Sequence, residues 1–290
     1  MHTYLQSIGF SRYDEMDLLQ LLKEIQDNPG ETVVLREDDE NPLVIYKREI
    51  IYGYPLGVGI AISGHMINGQ FERSFYYPYY EGNGYISTKE SCKISRKSER
   101  ASYYGCVDDN RIGFSLIFNL LNYAQLTMRK CIRFDRIEDK AICLTGLAVE
   151  GKILFPIHKS RKAQKTHDYF GERAKLIERA CEGDEDAVEI LTKHEKNLFM
   201  RANNEDLFTV IDSYLAPHGY ESDQYEIMGD IEELVFEINE ITNERICIMQ
   251  INCNDMLFRV VVNTKTLYGE PKVGRRFKGK IWMQGTVELT

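Results

Sequence analysis

Three stretches of this chain repeat one pattern, and it commits the fold to antiparallel sheet. Gly57 to Pro78 is a run of glycine and apolar residues, a turn at Asn68-Gly69, and a second run from Phe71 to Tyr77. Ala141 to His158 carries Ile142-Cys143-Leu144, a turn at Glu150-Gly151, and Ile153 to Ile157. Arg245 to Asn263 carries Ile246-Cys247-Ile248, a turn at Asn254-Asp255, and Leu257 to Val262. Each spacing predicts a β-hairpin closed by two residues, because Gly, Asn and Asp reach positive φ at the least cost. Glu31 to Arg36 and Leu43 to Ile51 predict two strands flanking the turn at Glu40-Asn41-Pro42. Gly279 to Leu289 predicts a closing strand. Identity among the three hairpins is too low for an internal repeat.

Helices are predicted at 12–27, 111–127, 172–182, 185–197 and 205–216. In the first, Leu18, Leu21, Leu22 and Ile25 form a stripe, Ser11 and Asp14 have capping-box spacing, and Asn28-Pro29-Gly30 ends it. In the second, Phe114, Ile117, Phe118, Leu121 and Ala124 face one way, while Leu116, Leu120 and Tyr123 cover much of the rest. A helix apolar nearly all round is expected between layers. Asp184 is placed to cap the fourth. The fold class expected is α+β: antiparallel meander sheets with packed helices, in two lobes. Residues 1–160 form the N-terminal α+β lobe. Residues 161–290 form a C-terminal lobe of short helices followed by an antiparallel sheet. The polar, basic stretch 158–175 joins them.

Charge is sorted in the second half. Residues 221–244 hold nine acids and no Lys or Arg, whereas 265–280 hold six bases and one acid. Adjacent strands that neutralise each other explain this most simply, with a charged docking face as the alternative. The formal net charge of −9 over 290 residues argues against nucleic acid as a general partner, which a net basic face would require. Seven cysteines without a CxxC pair suggest reduced, mostly buried thiols. Met1 to Leu5 shows no charged segment leading into an apolar one, and no apolar run approaches the ~18 residues of a membrane span. The expected location is the cytoplasm.

Chemical motifs mostly fail on inspection. Gly146 to Lys152 satisfies seven positions of a phosphate-binding loop, but Ile153 stands where a hydroxyl should hold magnesium; a hairpin turn is expected there. Gly57, Gly59 and Gly64 resemble a dinucleotide fingerprint loosely, yet no helix succeeds them, so these glycines should relieve crowding in a bent strand. The histidines at 2, 65, 158, 167, 194 and 218 contain no i, i+4 pair. Cys106 lies beside Asp108 and Asp109, which would raise its pKa, opposite to what a reactive thiolate needs. No nucleophile elbow or distinctive carboxylate pair occurs, and no catalytic residue, cofactor or metal is assigned.

One segment stays notable. Seven of the 18 tyrosines fall between Tyr76 and Tyr104, interleaved with Lys89, Lys93, Arg96, Lys97 and Arg100. Pro78 is expected to break a strand there, and Gly82 and Gly84 to turn the next residues into a loop. Phenol rings contact ligands at low entropic cost, and arginine adds bidentate anion binding. The candidate ligand-binding residues are Tyr77, Tyr80, Arg96, Arg100, Tyr103 and Tyr104. The bland alternative is that half the tyrosines pack on the helix at 111–127. The function expected is non-enzymatic binding or scaffolding through this Tyr/Arg-rich surface, with an unknown protein or a small anionic ligand as partner. A homodimer is also open, and the stretch 265–280 is a further contact surface. The second expectation is an enzyme on a small anionic or sugar-like substrate, with tyrosine, His65 or His158 as acid–base groups. RNA binding through stacked tyrosines ranks third.

The opening M-H-T-Y-L-Q-S-I-G-F-S and the closing R-R-F-K-G-K-I-W-M-Q-G-T-V resemble an uncharacterised family from clostridial-type Gram-positive bacteria, a domain of unknown function. The likeness covers the full length. It implies a bacterial cytosolic protein and brings no catalytic residues with it.

Overall fold

The computed structural model describes residues 2–36, 41–51, 57–82, 84–97, 102–156, 176, 179–180, 183–202, 211–219 and 222–289. It is a mixed, strand-rich α+β fold built on two sheets. Strands β1 (Glu31–Leu35), β2 (Leu43–Glu49), β3 (Val58–Ile67) and β4 (Gln70–Tyr80) form a four-stranded antiparallel sheet in chain order. The larger sheet has eleven strands. Its first five are β5 (Cys92–Lys97), β6 (Ser102–Asp108), β7 (Ser115–Leu120), β8 (Arg136–Ile137) and β9 (Ile142–Leu154). The others are β10 (Tyr214–Pro217), β11 (Gln224–Ile238), β12 (Arg245–Cys253), β13 (Met256–Asn263), β14 (Leu267–Tyr268) and β15 (Arg276–Val287). Helices α1 (Glu15–Asp27), α2 (Tyr123–Met128) and α3 (Glu185–Ala202) are also described, with a 3₁₀ turn at Thr3–Ile8 and a three-residue 3₁₀ segment at Thr264–Thr266.

Part of the larger sheet closes on itself. β11 pairs with β12, β12 with β13, β13 with β9, β9 with β15, and β15 with β11, giving a five-stranded barrel. Only the β13–β9 seam is parallel. A barrel this narrow must be filled by its own side chains, and the strand alternation supplies them. Met249 and Ile251, Phe258 and Val260, and Ile281 and Met283 point into one buried cluster. Residues adjacent to them in the chain, such as Ile248, Val261 and Trp282, point outward and join a second cluster with Leu5, Leu22 and Ile60. The 3₁₀ turn, α1 and one face of the smaller sheet therefore pack on the outside of the barrel.

Two of the three expected hairpins are present. β3–β4 turns at Asn68 and Gly69, and β12–β13 at Asn254 and Asp255, all four at positive φ. The third is not a hairpin. Residues 142–154 form the single strand β9, so no turn interrupts Gly146 to Lys152. Gly151 is there for space: a Cβ on it would lie 2.3 Å from Phe277 Cε2. The glycines of β3 act as expected, since a Cβ on Gly59 would lie 2.2 Å from the Arg48 carbonyl oxygen.

The helix expected at 111–127 is strand β7 followed by the short α2. Leu116, Phe118 and Leu120 are buried and alternate with less buried neighbours, the period of a strand. The first helix is capped by Asp14 and Asp17; Ser11 instead donates to Glu244. Asp184 caps α3 by accepting the Ala187 N–H. Of the helix expected at 172–182, only residues 176, 179 and 180 are described, and they are helical. The helix expected at 205–216 lies largely outside the described residues, and its end is strand β10 instead.

β9, which precedes the stretch 158–175, pairs with β13 and β15, which come after it. The acidic β11 and the basic β15 are neighbours, with Lys278 Nζ 3.2 Å from Glu226 Oε1. Among the described residues, no helix is long and apolar enough to cross a membrane.

Candidate functional site

The segment expected to be a tyrosine-rich loop is mostly sheet. Pro78 does not break β4. Antiparallel pairing alternates, with successive residues turning their backbone groups to opposite edges. The Glu81 N–H goes to the Gly57 carbonyl across the sheet, so Tyr77 and Tyr79 face β3 in the same way. Tyr76, Pro78 and Tyr80 face outward, where a missing N–H costs no ladder bond. Residues 92–97 and 102–108 are β5 and β6, because Cys92 and Ile94, then Tyr103 and Val107, bury one face at period two.

The outward edge of β4 meets the barrel. Gln284 of β15 accepts the Tyr80 N–H at 2.9 Å and donates to the Pro78 carbonyl at 3.0 Å. Just N-terminal to that junction lies a cavity of about 110 Å³. Phe75, Tyr76 and Tyr77 of β4 line one side, and Tyr103 of β6, Tyr123 of α2 and Trp282 of β15 line others, with Lys97 and His2. Tyr103 stacks on Tyr123 with 10° between the rings. Trp282 packs against His2 and Tyr4 with centroids at 5.0 and 5.5 Å. The Trp282 indole is fixed by its Nε1, which donates to the buried Asp223 at 2.7 Å. The His2 backbone N–H donates to the Tyr76 hydroxyl at 3.1 Å.

The six predicted residues separate. Tyr77 and Tyr103 line this cavity. Tyr104 is half-buried beside it, with Lys97 Nζ 4.7 Å from its ring centre. Arg96 is exposed on β5. Tyr80 is fully buried in the layer between sheet and barrel. Arg100 lies outside the described residues. His2, Tyr123 and Trp282 were not legible as members, being brought from the chain's two ends and from α2. The one available signal was that Trp282 is the only tryptophan.

Burial pushes the Tyr77 phenol up to about 12, with Lys47 opposing and Glu81 assisting. Burial likewise pushes Tyr80 to about 12, against the pull of Arg259. These phenols stay neutral at physiological pH. Cys106 is raised by burial and then by Asp108, as its position suggests. Of the alternative acid–base groups, His65 lies on β3, away from the cavity lining, and His158 lies outside the described residues.

A larger cavity of about 540 Å³ lies beyond Tyr77, lined by Glu31, Lys47, Glu81, Asn122 and Gln125 among others. Lys47 pairs there with two carboxylates, its Nζ lying 2.6 Å from Glu81 and 3.5 Å from Glu31. Asn122 exchanges both its amide bonds with the Val287 backbone.

One family model, described as "Domain of unknown function, E. rectale Gene description (DUF3881)", matches residues 5–285. No curated protein and no solved structure matches the chain.

Proposed function

The chain belongs to this family of unknown function, and from that premise we propose that it is a bacterial, cytoplasmic binding protein for a small, ring-bearing anion. The observation that carries the reading is the convergence of Tyr77, Tyr103, Tyr123 and Trp282 with Lys97 on one cavity. Rings on several sides favour a flat or ring-shaped ligand, and an ammonium group favours a carboxylate or phosphate on it. Size supports the same class. At about 110 Å³ the cavity is smaller than the ~150 Å³ apolar cavity that holds benzene, so it takes at most one small ring and excludes a nucleotide. Six free thiols among the described residues fit a reducing compartment.

Tyr77 favours binding over catalysis: burial pushes its pKa up to about 12, far from the neutral values that suit a general acid or base at work. The test uses Trp282 as a built-in probe, since it is the only tryptophan and lines the cavity. Titration with a panel of aromatic carboxylates and sugar phosphates should give a saturable change in its emission for at least one class. Tyr103→Ala and Lys97→Ala should each weaken that binding several-fold. A panel that leaves the emission unchanged at millimolar concentration overturns the proposal.

A further inference from the structure

The backbone of β4 carries information about the ligand that the rings do not. Pro78 and Tyr80 present their outward groups to Gln284, whose carboxamide stands in for a neighbouring strand. Two residues earlier, by the same alternation, the Tyr76 N–H and C=O point off the same edge. Tyr76 lines the cavity, and among the described residues no group from that side bonds to its backbone. Its side chain is accounted for separately, by the His2 N–H.

A donor and an acceptor on one edge residue match one kind of partner best: an extended residue offering its own C=O and N–H across a β-bridge. Burying such an edge under a purely apolar ligand would strand two hydrogen-bonding groups, which is costly. Resting on the cavity reading above, we infer that the ligand is an N-acylated amino acid with a ring side chain. Its acyl–NH–CH–CO unit pairs with Tyr76, its ring enters between Tyr103 and Trp282, and its carboxylate faces Lys97. At about 110 Å³ the cavity takes no more than the ring, so the acyl–NH–CH–CO unit lies at its rim along the β4 edge. Gln284 sets the register, because the β4 edge is already occupied from Pro78 onward.

The experiment compares N-acetyl-L-phenylalanine with 3-phenylpropionate and with the N-methylated amide, all read by Trp282 emission on the full chain. The acetylated amino acid should bind about tenfold more tightly than 3-phenylpropionate, which loses both hydrogen bonds to Tyr76, and about fivefold more tightly than the N-methylated amide, which loses only the N–H donated to the Tyr76 carbonyl. Tyr76→Pro should shrink the preference over 3-phenylpropionate and leave that over the N-methylated amide, because it removes the outward N–H but keeps the carbonyl, at a position that makes no ladder bond, as Pro78 already shows. Tyr76→Ala should retain both. Should Tyr76→Pro not fold, the ligand comparison on the unaltered protein still decides. Equal affinity for the acetylated amino acid and 3-phenylpropionate overturns the amide inference and leaves the cavity reading standing. No saturable signal from any of the three overturns the inference, and the broader panel then decides the cavity reading.

Discussion

Lys265 reaches a carboxylate that is otherwise sealed: its Nζ lies 2.7 Å from Oε1 of Glu244, which is only 5% exposed. The same carboxylate accepts Ser11 Oγ at 2.8 Å and Asn263 Nδ2 at 2.6 Å. It therefore clamps the start of the chain to the β12–β13 hairpin and holds the 3₁₀ turn, with His2 and Tyr4, against Trp282.

Burial alone would raise the pKa of Glu244, but the bonds from Lys265, Ser11 and Asn263 outweigh it and hold the group below its ordinary value of 4.5. A carboxylate with a lowered folded-state pKa stabilises fully above the unfolded value and loses that contribution as pH falls through the folded one. Glu244→Gln should cost about 1–3 kcal/mol at neutral pH. The gap from wild type should close as the pH drops below 4.5. Urea unfolding at several pH values measures it, and a gap that stays constant into acid refutes the assignment.

Gly59→Ala should be destabilising by about 1–3 kcal/mol, the usual range for forcing atoms into a packed site. The added methyl would meet the Arg48 carbonyl at 2.2 Å and the Tyr79 hydroxyl at 2.7 Å, and the backbone of the paired strand cannot give way as a side chain would. The urea midpoint should fall with an unchanged slope. An unaltered midpoint would mean that β2 and β3 lie further apart than described.

Gln284→Leu keeps the volume of a fully buried side chain and deletes its two bonds to β4. The Tyr80 N–H and Pro78 carbonyl would be left buried without partners, at a cost of about 2–4 kcal/mol. Hydrogen exchange should show the Tyr80 amide losing protection more than amides on β2. Equal losses throughout would mean that Gln284 acts on global stability and not on the β4 edge.

The parts of this fold legible in the sequence are those where local chemistry decides. Asn68-Gly69 and Asn254-Asp255 announce their hairpins because few other residues reach those backbone angles, and the Leu18 to Ile25 stripe announces α1. The misreadings occur where distant packing decides. Phe114 to Ala124 satisfies a helical stripe and a strand alternation at once, and only the pairing of β7 with β6 settles which holds. Glu150-Gly151 looks like a turn, but Gly151 is small because Phe277, more than a hundred residues later, lies against it. The candidate site has the same character. Tyr77 and Tyr103 were visible as part of a local excess, whereas Trp282 and His2 enter only through the closure of the barrel and the packing of the first turn on it.

Lys47 offers a test opposite in sign to that of Glu244. It sits in a row across the smaller sheet, Glu31–Lys47–Ala61–Tyr77, and only 3% of it is exposed. Burial lowers its pKa, but the Glu81 charge and hydrogen bond, with Tyr77 and Glu31 behind them, raise it past the ordinary 10.5. A cation with a raised folded-state pKa stabilises fully below the unfolded value and loses that contribution as pH climbs through the folded one. Lys47→Met, similar in volume and apolar, should cost about 1–3 kcal/mol at neutral pH, because Glu81 then loses its nearest partner. That cost should persist to about pH 10 and shrink above 10.5, where the wild-type ammonium itself is being lost. The same variant removes the cation that opposes the raised pKa of Glu49, so the Glu49 carboxyl should titrate at still higher pH. Denaturant unfolding across the alkaline range and carboxyl-detected NMR titration check the two consequences separately. A variant as stable as wild type at pH 7 would show that the Lys47–Glu81 pair only offsets its own desolvation.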